Sequence, residues 1–461
     1  MSGIMLTLAG VSPATVPGAP TIGTATAIGA STATIAFTAP VSNGGSPITL
    51  YTATSSPGGI TGTLAQAGSG TITVTGLTAG GIAYTFTVTA TNAVGTGPAS
   101  AASNSITTQL SKLIFTWGRN NNGQLGDGTT TYRSSPVQIG GAIWSTLPNQ
   151  IYQETAAITG GGNLWLWGQN DRGQLGIGNQ TNYSSPKQVG NLDTWAVIGG
   201  GHGAESIAAV KTDNTLWTWG TNGSGQLGLG TTGFANTSPV QVAGTGWAFA
   251  TFGGGMGAAI KTDGTMWTAG FNAGGRLGLG NTTNYSVFKQ VGSLATWATV
   301  RCGQGFSIAI KTDGSMWGWG RNSEGQLGLG FTSGYYSSPV QIAGSTWSKV
   351  SIMSGGVIAL RTNGSLWAWG TNTYGRLGLG NTTNYSSPVQ IPGSWSKINT
   401  HYNGGVAIKT SGELFTWGRN NFGQLGLGNT TNYSSPKQVG GLATWQEVSA
   451  GRHHGIALRN S

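Results

Sequence analysis

The chain has 461 residues, of which 83 are Gly and only 7 % are charged. Trp supplies 18 positions and hydrophobic residues 37 %, which excludes simple disorder, because disordered chains lack aromatic residues. Gly and Thr are poor helix formers, so the composition also excludes a helical protein. An all-β fold with many tight turns is the prediction that remains.

The single cysteine, Cys302, excludes an internal disulfide framework and a Cys-rich zinc site, and we expect it to be a small buried apolar residue. No apolar stretch reaches the length of about 18 residues that a membrane span needs. The N-terminus has no Lys or Arg before its short apolar run Ile4–Leu8, whereas a secretory signal begins with a positive segment. We therefore expect a protein without membrane insertion that is made without Sec export.

Charge is distributed unevenly along the chain, whose net charge is +10. The first 111 residues contain no Asp, Glu, Lys, Arg or His. Lys112–Trp347 hold 12 cations and 9 acids (+3), and Ser348–Ser461 hold 9 cations and 2 acids (+7). The change in composition near residue 110 predicts a domain boundary.

Short stretches of alternating apolar and polar residues run through the charge-free region. The predicted strands include Ala33–Phe37, Ile48–Tyr51, Thr71–Val74 and Tyr84–Ala90. About seven short strands in about 90 residues are typical of a β-sandwich. We predict this sandwich over residues 17–108, after an N-terminal arm of residues 1–16.

The same region resembles a fibronectin type III domain. The match lies in Pro17–Pro20, in residues 44–51, in Leu77 and in the stretch from Tyr84 to Gly95. The resemblance implies that the Tyr84 hydroxyl bonds to backbone upstream of it, and that the domain is a spacer or display module without chemistry of its own. Phe37 stands where the family usually has Trp.

From residue 112 onward the sequence repeats itself. A Trp-Gly pair recurs at intervals of 48 to 52 residues, and Ala269-Gly270 fills the one slot that lacks the Trp. Each pair leads into the motif Gly-x-Asn-x-x-Gly-[Gln/Arg]-Leu-Gly, then a polar loop, a Trp with an apolar strand, and a strand that ends near Lys-Thr-Asp-Gly. The pairs begin at Trp117, Trp167, Trp219, Trp319, Trp369 and Trp417.

These units resemble the repeats of the RCC1 family, the regulators of chromosome condensation and their relatives, over about 350 residues. The resemblance implies a seven-bladed β-propeller over residues 112–461, with one four-stranded sheet per blade. Physical chemistry agrees, because a lone sheet has two apolar faces that only neighbouring blades can bury. The last unit stops without its third strand, so we expect Leu113–Gly118 to complete that blade and close the ring.

The 18 Trp invite a ligand-binding interpretation, but each falls at one of three repeat positions, so we predict packing residues between blades. The motif Gly-x-Asn-x-x-Gly lacks the Gly-Lys-Ser/Thr of a phosphate loop, and its sevenfold occurrence favours a turn. Ala269 replaces a Trp that six blades keep, which implies either a cavity or a neighbour that fills the space.

Nothing in the sequence signals catalysis. There is no nucleophile elbow, metal-ligand cluster or pair of carboxylates, and the four His are His202, His401 and the adjacent His453 and His454. A Ser-His-Asp arrangement stays open, because its members need only meet in space. We predict a protein that is not an enzyme and that has no cofactor and no metal.

One row of cations occupies a single repeat position and is a candidate binding surface. Its members are Lys211, Lys261, Lys311, Arg361, Lys409 and Arg459. An Asp follows each of the first three by two residues, whereas Asn and Ser take that place after Arg361 and Lys409. We therefore expect the positive field to be strongest on the C-terminal blades, in segments that the family resemblance places near the central channel. The partner-binding candidates are Arg361, Lys409, Arg452 and Arg459. The alternative is a row of ordinary solvated strand ends.

A second candidate row is aromatic. Its members, each seven residues after the Gly that ends the motif, are Tyr183, Tyr285, Tyr335, Tyr385 and Tyr433. Tyr among Ser, Asn and Thr offers a large contact area at low entropic cost, as in antibody loops. The alternative is that each Tyr packs on the outer strand of its own blade.

The RCC1 resemblance implies several roles, including guanine-nucleotide exchange, chromatin binding and the inhibition of an enzyme by one face of the ring. Intervals of 48 to 52 residues leave no room for the β-wedge insertion of the exchange factors, and no exchange residue can be matched. A net charge of +10 favours nucleic acid, but there is no Lys/Arg-rich run and no basic arm, so nucleic acid is the less favoured partner.

We predict a non-catalytic display and ligand-binding protein. A bacteriophage virion component (a fibre, tail or capsid-surface protein) reconciles a place on the virion or another extracellular surface with the expected lack of Sec export. The arm and sandwich would contact other virion proteins, and the propeller a cell-surface glycan or protein. The alternative is a secreted or cellular RCC1-like module that inhibits or regulates a protein. No heptad or other sequence signal indicates an oligomeric state.

Overall fold

The computed structural model describes residues 13–28, 31–78, 80–108, 112–141, 144–191 and 194–460, with the backbone alone at His202. The chain divides into two compact units, Met1–Ser111 and Lys112–Ser461. Both units consist of β-strands, which confirms the predicted all-β fold, and the only helical segments in the described ranges are the 3₁₀ turns Ala273–Gly275 and Thr373–Gly375. No helix in those ranges is long and apolar enough to cross a membrane.

The first unit is a sandwich of two antiparallel sheets. One sheet has the order β1 (Thr21–Ala27), β2 (Thr32–Thr38), β5 (Gly70–Thr75). The other has the order β4 (Thr61–Leu64), β3 (Leu50–Ser56), β6 (Ala83–Thr91), β7 (Ile106–Thr107). Alternate residues of β2 and β6 enter one core, because successive side chains of a strand point to opposite faces. Of the predicted N-terminal arm, residues 1–12 lie outside the described ranges.

The aromatic residues singled out in the sandwich lie in its core. The Tyr84 hydroxyl accepts a hydrogen bond from the backbone N–H of Thr78 at 3.1 Å, which confirms the upstream bond that the resemblance implies. Phe37, which stands where Trp is usual, is buried, and its ring centre lies 4.3 Å from that of Tyr51. The Tyr51 ring therefore supplies the contact area beside the smaller Phe.

The second unit is a ring of four-stranded antiparallel sheets, seven of them within the described residues, and the strands of each blade are labelled a to d in sheet order. Blade 1 consists of β10 (Trp144–Thr146), β11 (Glu154–Thr159), β12 (Leu164–Gly168) and β13 (Tyr183–Gln188); blade 2 of β14 (Trp195–Gly199), β16 (Ser206–Lys211), β17 (Leu216–Asn222) and β18 (Gly233–Gln241); and blade 3 of β19 (Trp247–Gly253), β20 (Met256–Lys261), β21 (Met266–Gly270) and β22 (Tyr285–Gln290). Blade 4 consists of β23 (Trp297–Cys302), β24 (Phe306–Lys311), β25 (Met316–Arg321) and β26 (Tyr335–Ile342), and blade 5 of β27 (Trp347–Met353), β28 (Gly356–Arg361), β29 (Leu366–Gly370) and β30 (Tyr385–Ile391). Blade 6 consists of β31 (Trp395–His401), β32 (Gly404–Lys409), β33 (Leu414–Gly418) and β34 (Tyr433–Gln438), and blade 7 of β35 (Trp445–Ala450), β36 (His454–Asn460), β8 (Lys112–Gly118) and β9 (Arg133–Gln138). The short β15 (Gly201–His202) pairs in parallel with β19. The a strands of blades 2 to 7 contact one another in sequence around a central channel.

The ring closes through the first strand of the unit. β8 pairs antiparallel with β36, from Gly118 opposite His454 to Lys112 opposite Asn460. Strand c of blade 7 is therefore supplied by the start of the repeat region, as predicted. Backbone hydrogen bonds thus join the two chain ends of the ring.

Tryptophan packs the blades against one another, as predicted. The Trp of each Trp-Gly pair is completely buried. The Trp219 indole Nε1 of blade 2 donates a hydrogen bond to the Gln174 carbonyl of blade 1 at 2.9 Å. Gly176 of blade 1 has a φ of +69°, and a Cβ there would lie 2.7 Å from the Trp219 nitrogen. Glycine is therefore required at this contact both by its backbone conformation and by the close approach of the Trp.

A neighbouring Phe fills the space of the Trp that blade 3 lacks. Ala269 is completely buried, and Phe288 of strand d packs in the same core cluster. A Cβ added to Gly228 would lie 2.3 Å from the Phe288 ring, where the equivalent Gly176 of another blade faces Trp219. Phe288 stands at the position where the other strands d have Pro. The small Ala269 in place of Trp and the large Phe288 in place of Pro compensate each other, so the Phe288 ring fills the space that the Trp occupies in other blades.

The repeated Gly-x-Asn-x-x-Gly motif forms a turn, as predicted. In blade 5 the Asn372 side-chain oxygen accepts a hydrogen bond from the Leu377 N–H at 2.9 Å, and its Nδ2 donates to the Asn381 carbonyl at 3.0 Å. The bond to the Leu N–H is made by Asn120, Asn170, Asn222, Asn272, Asn322, Asn372 and Asn420. This scaffold fixes the backbone and leaves the intervening side chains free to vary.

Candidate functional site

The loops of each blade lie at two ends of the ring, because its four strands are antiparallel. Loops a–b and c–d share one end, the ab–cd end, and in blade 6 they are residues 402–403 and 419–432. Loops b–c and d–a share the opposite end, the bc–da end, and in blade 6 they are residues 410–413 and 439–444. The residues singled out in the sequence divide between these two ends.

The predicted row of cations lies at the bc–da end, where strand b stops beside the start of strand a. Lys311 is the sheet partner of Trp297, and its Nζ lies 5.0 Å from the Trp297 ring centre and 4.1 Å from that of Trp317. The same position between two aromatic rings holds Lys211, Lys261, Arg361, Lys409 and Arg459. Each cation therefore stabilises its own blade through cation–π contacts.

The Asp residues that follow three of these cations close turns. The Asp213 carboxylate accepts hydrogen bonds from the Thr215 hydroxyl at 2.6 Å and the Thr215 N–H at 2.9 Å, and these bonds lower the pKa of Asp213. Asn363 accepts the same two bonds from Ser365. Among the residues that the structure describes, no ion pair joins Asp213 to Lys211. The expected neutralisation of the row by Asp is therefore a longer-range effect without direct pairing.

The tyrosine row lies at the start of strand d. Tyr385 is opposite Gly370 in the sheet, packs partly buried against the core between blades 5 and 6, and accepts a hydrogen bond from Asn381 Nδ2 at 3.1 Å. The same sheet register and Asn contact hold Tyr183, Tyr285 and Tyr433. The four side chains are thus partly buried, which favours the packing interpretation of this row over an exposed contact surface.

Tyr335 does not share that position. Tyr336 is opposite Gly320, whereas Tyr335 is opposite Arg321. In blade 4 the residue opposite the Gly of strand c lies 16 residues after it, against 15 in the other blades that have a Tyr in this row, so counting seven residues from the motif gives the wrong Tyr. Tyr335 is instead 61 % exposed.

The exposed aromatic side chains of the propeller gather at the ab–cd end. Within the described ranges they are Tyr132, Phe234, Phe271, Phe331, Tyr335 and Tyr374. All six lie in c–d loops or at the start of strand d. The large apolar side chains exposed in the d–a loops of the bc–da end are the aliphatic Leu294 and Leu442. Clustered exposed aromatic residues mark interaction surfaces.

The loops of the ab–cd end carry Arg and no Lys. Within the described ranges their cations are Arg119, Arg172, Arg276, Arg376, Arg419 and Arg452, and Arg321 borders them as the last residue of strand c in blade 4. The acids of these loops are Asp127, Asp171, Glu205 and Glu324, so six cations less four acids leave +2. Arg is enriched and Lys depleted at protein interfaces, because the planar guanidinium is weakly hydrated and stacks on flat groups.

Several of these Arg stack on the aromatic rings. The Arg419 guanidinium lies 5.0 Å from the ring centre of Tyr374, and that of Arg172 lies 4.8 Å from Phe234. Tyr374 is 41 % exposed and has a φ of +64°. That backbone conformation is strained for a residue other than Gly, and such strain concentrates at functional sites.

Arg452 belongs to the ab–cd end, apart from the other three cationic candidates. It lies in the a–b loop of blade 7, with its guanidinium 5.1 Å from the ring centre of Tyr152 and 5.2 Å from that of Tyr402. The six-residue strand a separates this loop from the cation row, a distance of about 20 Å at about 3.3 Å per residue. The four candidates therefore form two surfaces.

Titratable groups are buried directly beneath the ab–cd end. Glu154 begins strand b of blade 1, and burial raises the pKa of its carboxyl to about 7, although the N–H groups of Tyr152 and Gln153 donate to it. His454 holds the same position in blade 7, with its Nε2 2.9 Å from the Thr155 hydroxyl. Burial lowers the pKa of His454 to about 3. Both groups therefore favour their neutral forms.

These groups do not assemble a catalytic set. Burial lowers the pKa of His401 to about 3 and of His453 to about 2, which makes both too weak as bases to activate a hydroxyl at neutral pH. Among the described residues, no group of three His, Cys, Asp or Glu side chains could hold a metal ion. Cys302 is buried, as expected, and burial raises the pKa of its thiol to about 12.

A seven-bladed β-propeller together with a fibronectin-like sandwich is the class of protein that this fold defines. The family model described as the regulator of chromosome condensation (RCC1) repeat matches residues 113–150, 161–204, 213–255, 263–310, 313–357, 363–403 and 411–458. A fibronectin type III domain matches residues 18–106. The chain therefore belongs to the RCC1 repeat family, as the sequence resemblance predicts.

Solved structures share the propeller fold. Human WBSCR16 superposes with a TM-score of 0.68 at 20 % identity, over 76 % of this chain and 99 % of that one. Prp20p from Saccharomyces cerevisiae gives 0.66 at 17 % identity, over 76 % and 92 %. The yeast RCC1 (Prp20) that binds Kap60 gives 0.67 at 16 % identity, over 76 % and 89 %. At these identities the likeness establishes the fold alone.

The aromatic and Arg cluster cannot be predicted from the positions that repeat, because its residues occupy positions that differ between blades. The residue before the second Gly of the motif differs in every blade. In chain order it is Asn122, Arg172, Ser224, Gly274, Glu324, Tyr374 and Phe422. The variation of this loop position between blades is the sequence signal that points to the cluster, since positions that pack blades together must stay alike whereas loop tips need not.

Proposed function

We propose that the propeller is a non-catalytic protein-binding module whose ab–cd end contacts its partner. The observation that carries the proposal is the concentration of exposed aromatic rings and Arg at that end. Aromatic and Arg side chains supply most of the binding energy at protein interfaces. The net charge of its loops favours an acidic patch on the partner. Prp20p, which has the same fold, is described by its binding to Gsp1p and histones, and also binds Kap60.

Display on a bacteriophage virion, or on another extracellular surface, is the more specific function that we propose. In this arrangement the arm of residues 1–16 and the sandwich attach to other virion proteins, and the ab–cd end faces a cell-surface protein. The first 111 residues hold no charged side chain, and the sandwich exposes Val41 and Val94, both of which suit packing inside an assembly. A cell-surface glycan is the competing ligand.

Site-specific photocrosslinking tests which end binds. A benzophenone amino acid replaces Tyr374 or Phe234 at the ab–cd end, and Leu294 or Leu442 at the bc–da end as matched controls, since all four side chains are well exposed. After irradiation of particles or cells that contain the protein, we expect protein adducts from the first pair only. Adducts from the second pair alone, or equally from both, would contradict the proposal.

Charge reversal then separates the two cationic surfaces. Arg419→Glu together with Arg452→Glu should abolish the adducts, because both guanidinium groups lie at the ab–cd end. Arg361→Glu together with Lys409→Glu should leave them. The opposite result would assign binding to the cation row, the alternative that the sequence offers. Adducts that carry carbohydrate instead of protein would identify a glycan ligand.

The virion proposal has its own test. Purified particles should contain the chain at a fixed stoichiometry by mass spectrometry, and an antibody against the propeller should label their surface. Particles without the chain would exclude the virion role and leave the protein-binding proposal standing, because that proposal depends on the crosslinks alone.

A further inference from the structure

A cavity of about 220 Å³ occupies the central channel. It is lined by the a strands of blades 4 to 7 and by the start of the long a–b loop of blade 1. That loop closes the channel on the ab–cd side, where Gln150 Nε2 donates to the Ile352 carbonyl at 2.7 Å and the Thr400 carbonyl at 3.2 Å. Asn399 Nδ2 holds the same loop through the Asn149 carbonyl. The cavity therefore lies on the bc–da side of this plug.

The cavity wall carries three cations. Arg301, Lys349 and Lys397 come from strand a of three successive blades. The one acid among the lining residues, all of which the structure describes, is Glu447. Its carboxylate is already paired with Lys112 at 3.3 Å. The wall thus has an excess of positive charge inside the protein.

Hydrogen bonds within the protein fix two of these cations in place. The Arg301 Nη1 donates to the Val300 carbonyl at 2.8 Å and the Thr299 hydroxyl at 3.0 Å, and the Lys349 Nζ donates to the Ser396 carbonyl at 3.1 Å. Burial, and then the charge of Lys397, lower the pKa of Lys349. These neutral acceptors orient Arg301 and Lys349, and the Glu447 carboxylate, which also pairs with Lys112, offsets only part of the positive charge of the wall. The remaining positive charge is an electrostatic cost that a bound anion would remove.

We propose that the channel cavity binds a small oxyanion that carries two or more negative charges, such as a phosphate group. Arg301 offers a fork for two of its oxygens, and Lys349 and Lys397 act as point charges. The volume equals that of ten or more waters at about 10–15 Å³ each, so a phosphorylated small molecule fits as well as inorganic phosphate. This site is independent of the proposed function, because it lies behind the plug from the ab–cd end.

Titration of the full chain with inorganic phosphate and with pyrophosphate tests the proposal. Calorimetry at constant ionic strength, with chloride as the reference, should give a saturable binding heat, and both anions should raise the melting temperature. Pyrophosphate should bind more tightly if the site accepts a larger phosphorylated ligand. The absence of binding heat and of any melting shift at millimolar anion would overturn the proposal.

Substitution of the lining cations separates a binding role from a structural one. Lys349→Met and Lys397→Met keep the apolar stem, and each should weaken anion affinity about ten- to a hundredfold, as expected for the loss of a charged hydrogen bond. Without anion, Lys349→Met should raise the melting temperature, because it removes repulsion from Lys397. The matched control Lys437→Met, on strand d, should bind as the parent does. Equal loss in the control, or unchanged affinity in both variants, would overturn the proposal.

Discussion

The two ends of the propeller are built on the same seven blades and differ in what repeats. At the bc–da end, six blades place a Lys or Arg between two aromatic rings, in one arrangement. At the ab–cd end, the Gly and Asn of each loop repeat, but the tips differ in every blade, from Arg172 to Tyr374. The repeated residues therefore form the scaffold, and the residues that differ between blades form the surface that we propose binds a partner.

The largest expected effect comes from opening the ring, which would disrupt both ends of the propeller at once. Deleting residues 1–118 removes strand c of blade 7, so we expect aggregation and no cooperative unfolding in a thermal melt, because β36 and β9 lose their shared partner. Deleting residues 1–111 is the matched control, since it keeps β8 and should leave a cooperative transition. Similar melts for the two deletions would contradict the closure of the ring through β8.

The ab–cd end should be the pH-sensitive one, through Glu154. Its folded pKa of about 7 lies above the ordinary value of 4.5, so folding favours the protonated carboxyl and stability falls as pH rises from about 4.5 to 7. Over that window Glu154→Gln should gain up to about 3 kcal/mol in the free energy of unfolding relative to the parent. Urea titrations at a series of pH values measure the difference, which should vanish below about pH 4. A constant difference across this range would rule out the raised pKa.

The buried His residues act in the opposite direction and serve as an internal reference. The pKa of His454 is lowered to about 3, so its contribution to stability is present above the unfolded value near 6.5 and is lost as pH falls toward 3. Parent and Glu154→Gln share this loss, because both keep His454. The difference between the two proteins therefore isolates the carboxyl.

Blade 3 should not accommodate at the position of Ala269 the Trp that the other blades have there. Ala269→Trp should cost about 1–3 kcal/mol in the free energy of unfolding, because Phe288 already fills the space. Adding Phe288→Pro should recover most of that loss, since the pair then matches the other blades. Urea denaturation of the two single variants and the double variant completes a cycle whose coupling should be favourable. A neutral Ala269→Trp would instead reveal an unfilled cavity.

The smallest effect should separate stability from binding. Lys311→Met removes cation–π contacts at the bc–da end and should lower the free energy of unfolding by about 0.5–2 kcal/mol while the photocrosslinks persist. Tyr374→Ala at the ab–cd end should reduce the crosslinks formed from Phe234 and change the free energy of unfolding less. If each variant changed the free energy of unfolding and the crosslinking alike, the assignment of stability to the bc–da end and of binding to the ab–cd end would be wrong.

Sequence reasoning identified the sandwich, the seven blades, the Asn turn and the closing strand, because each depends on a pattern within one repeat. Alternation of residues in β6 predicts its buried face, and the missing third strand after Leu458 predicts the pairing of β36 with the strand that contains Leu113–Gly118. Burial of the Trp of each Trp-Gly pair, and of the Trp that begins each strand a, follows as well, since identical positions in identical units meet identical neighbours.

Tertiary structure decided whatever depends on residues from different repeats. Phe288 fills the space beside Ala269, and the exposed Tyr335 lies one place away from its row, where only the sheet register reveals the shift. The channel cations and the stacking of Arg419 on Tyr374 join side chains that are 45 or more residues apart. A periodic sequence specifies each blade separately, but the curvature of the ring determines which variable side chains meet, so the candidate surface and the channel site become visible only in the assembled propeller.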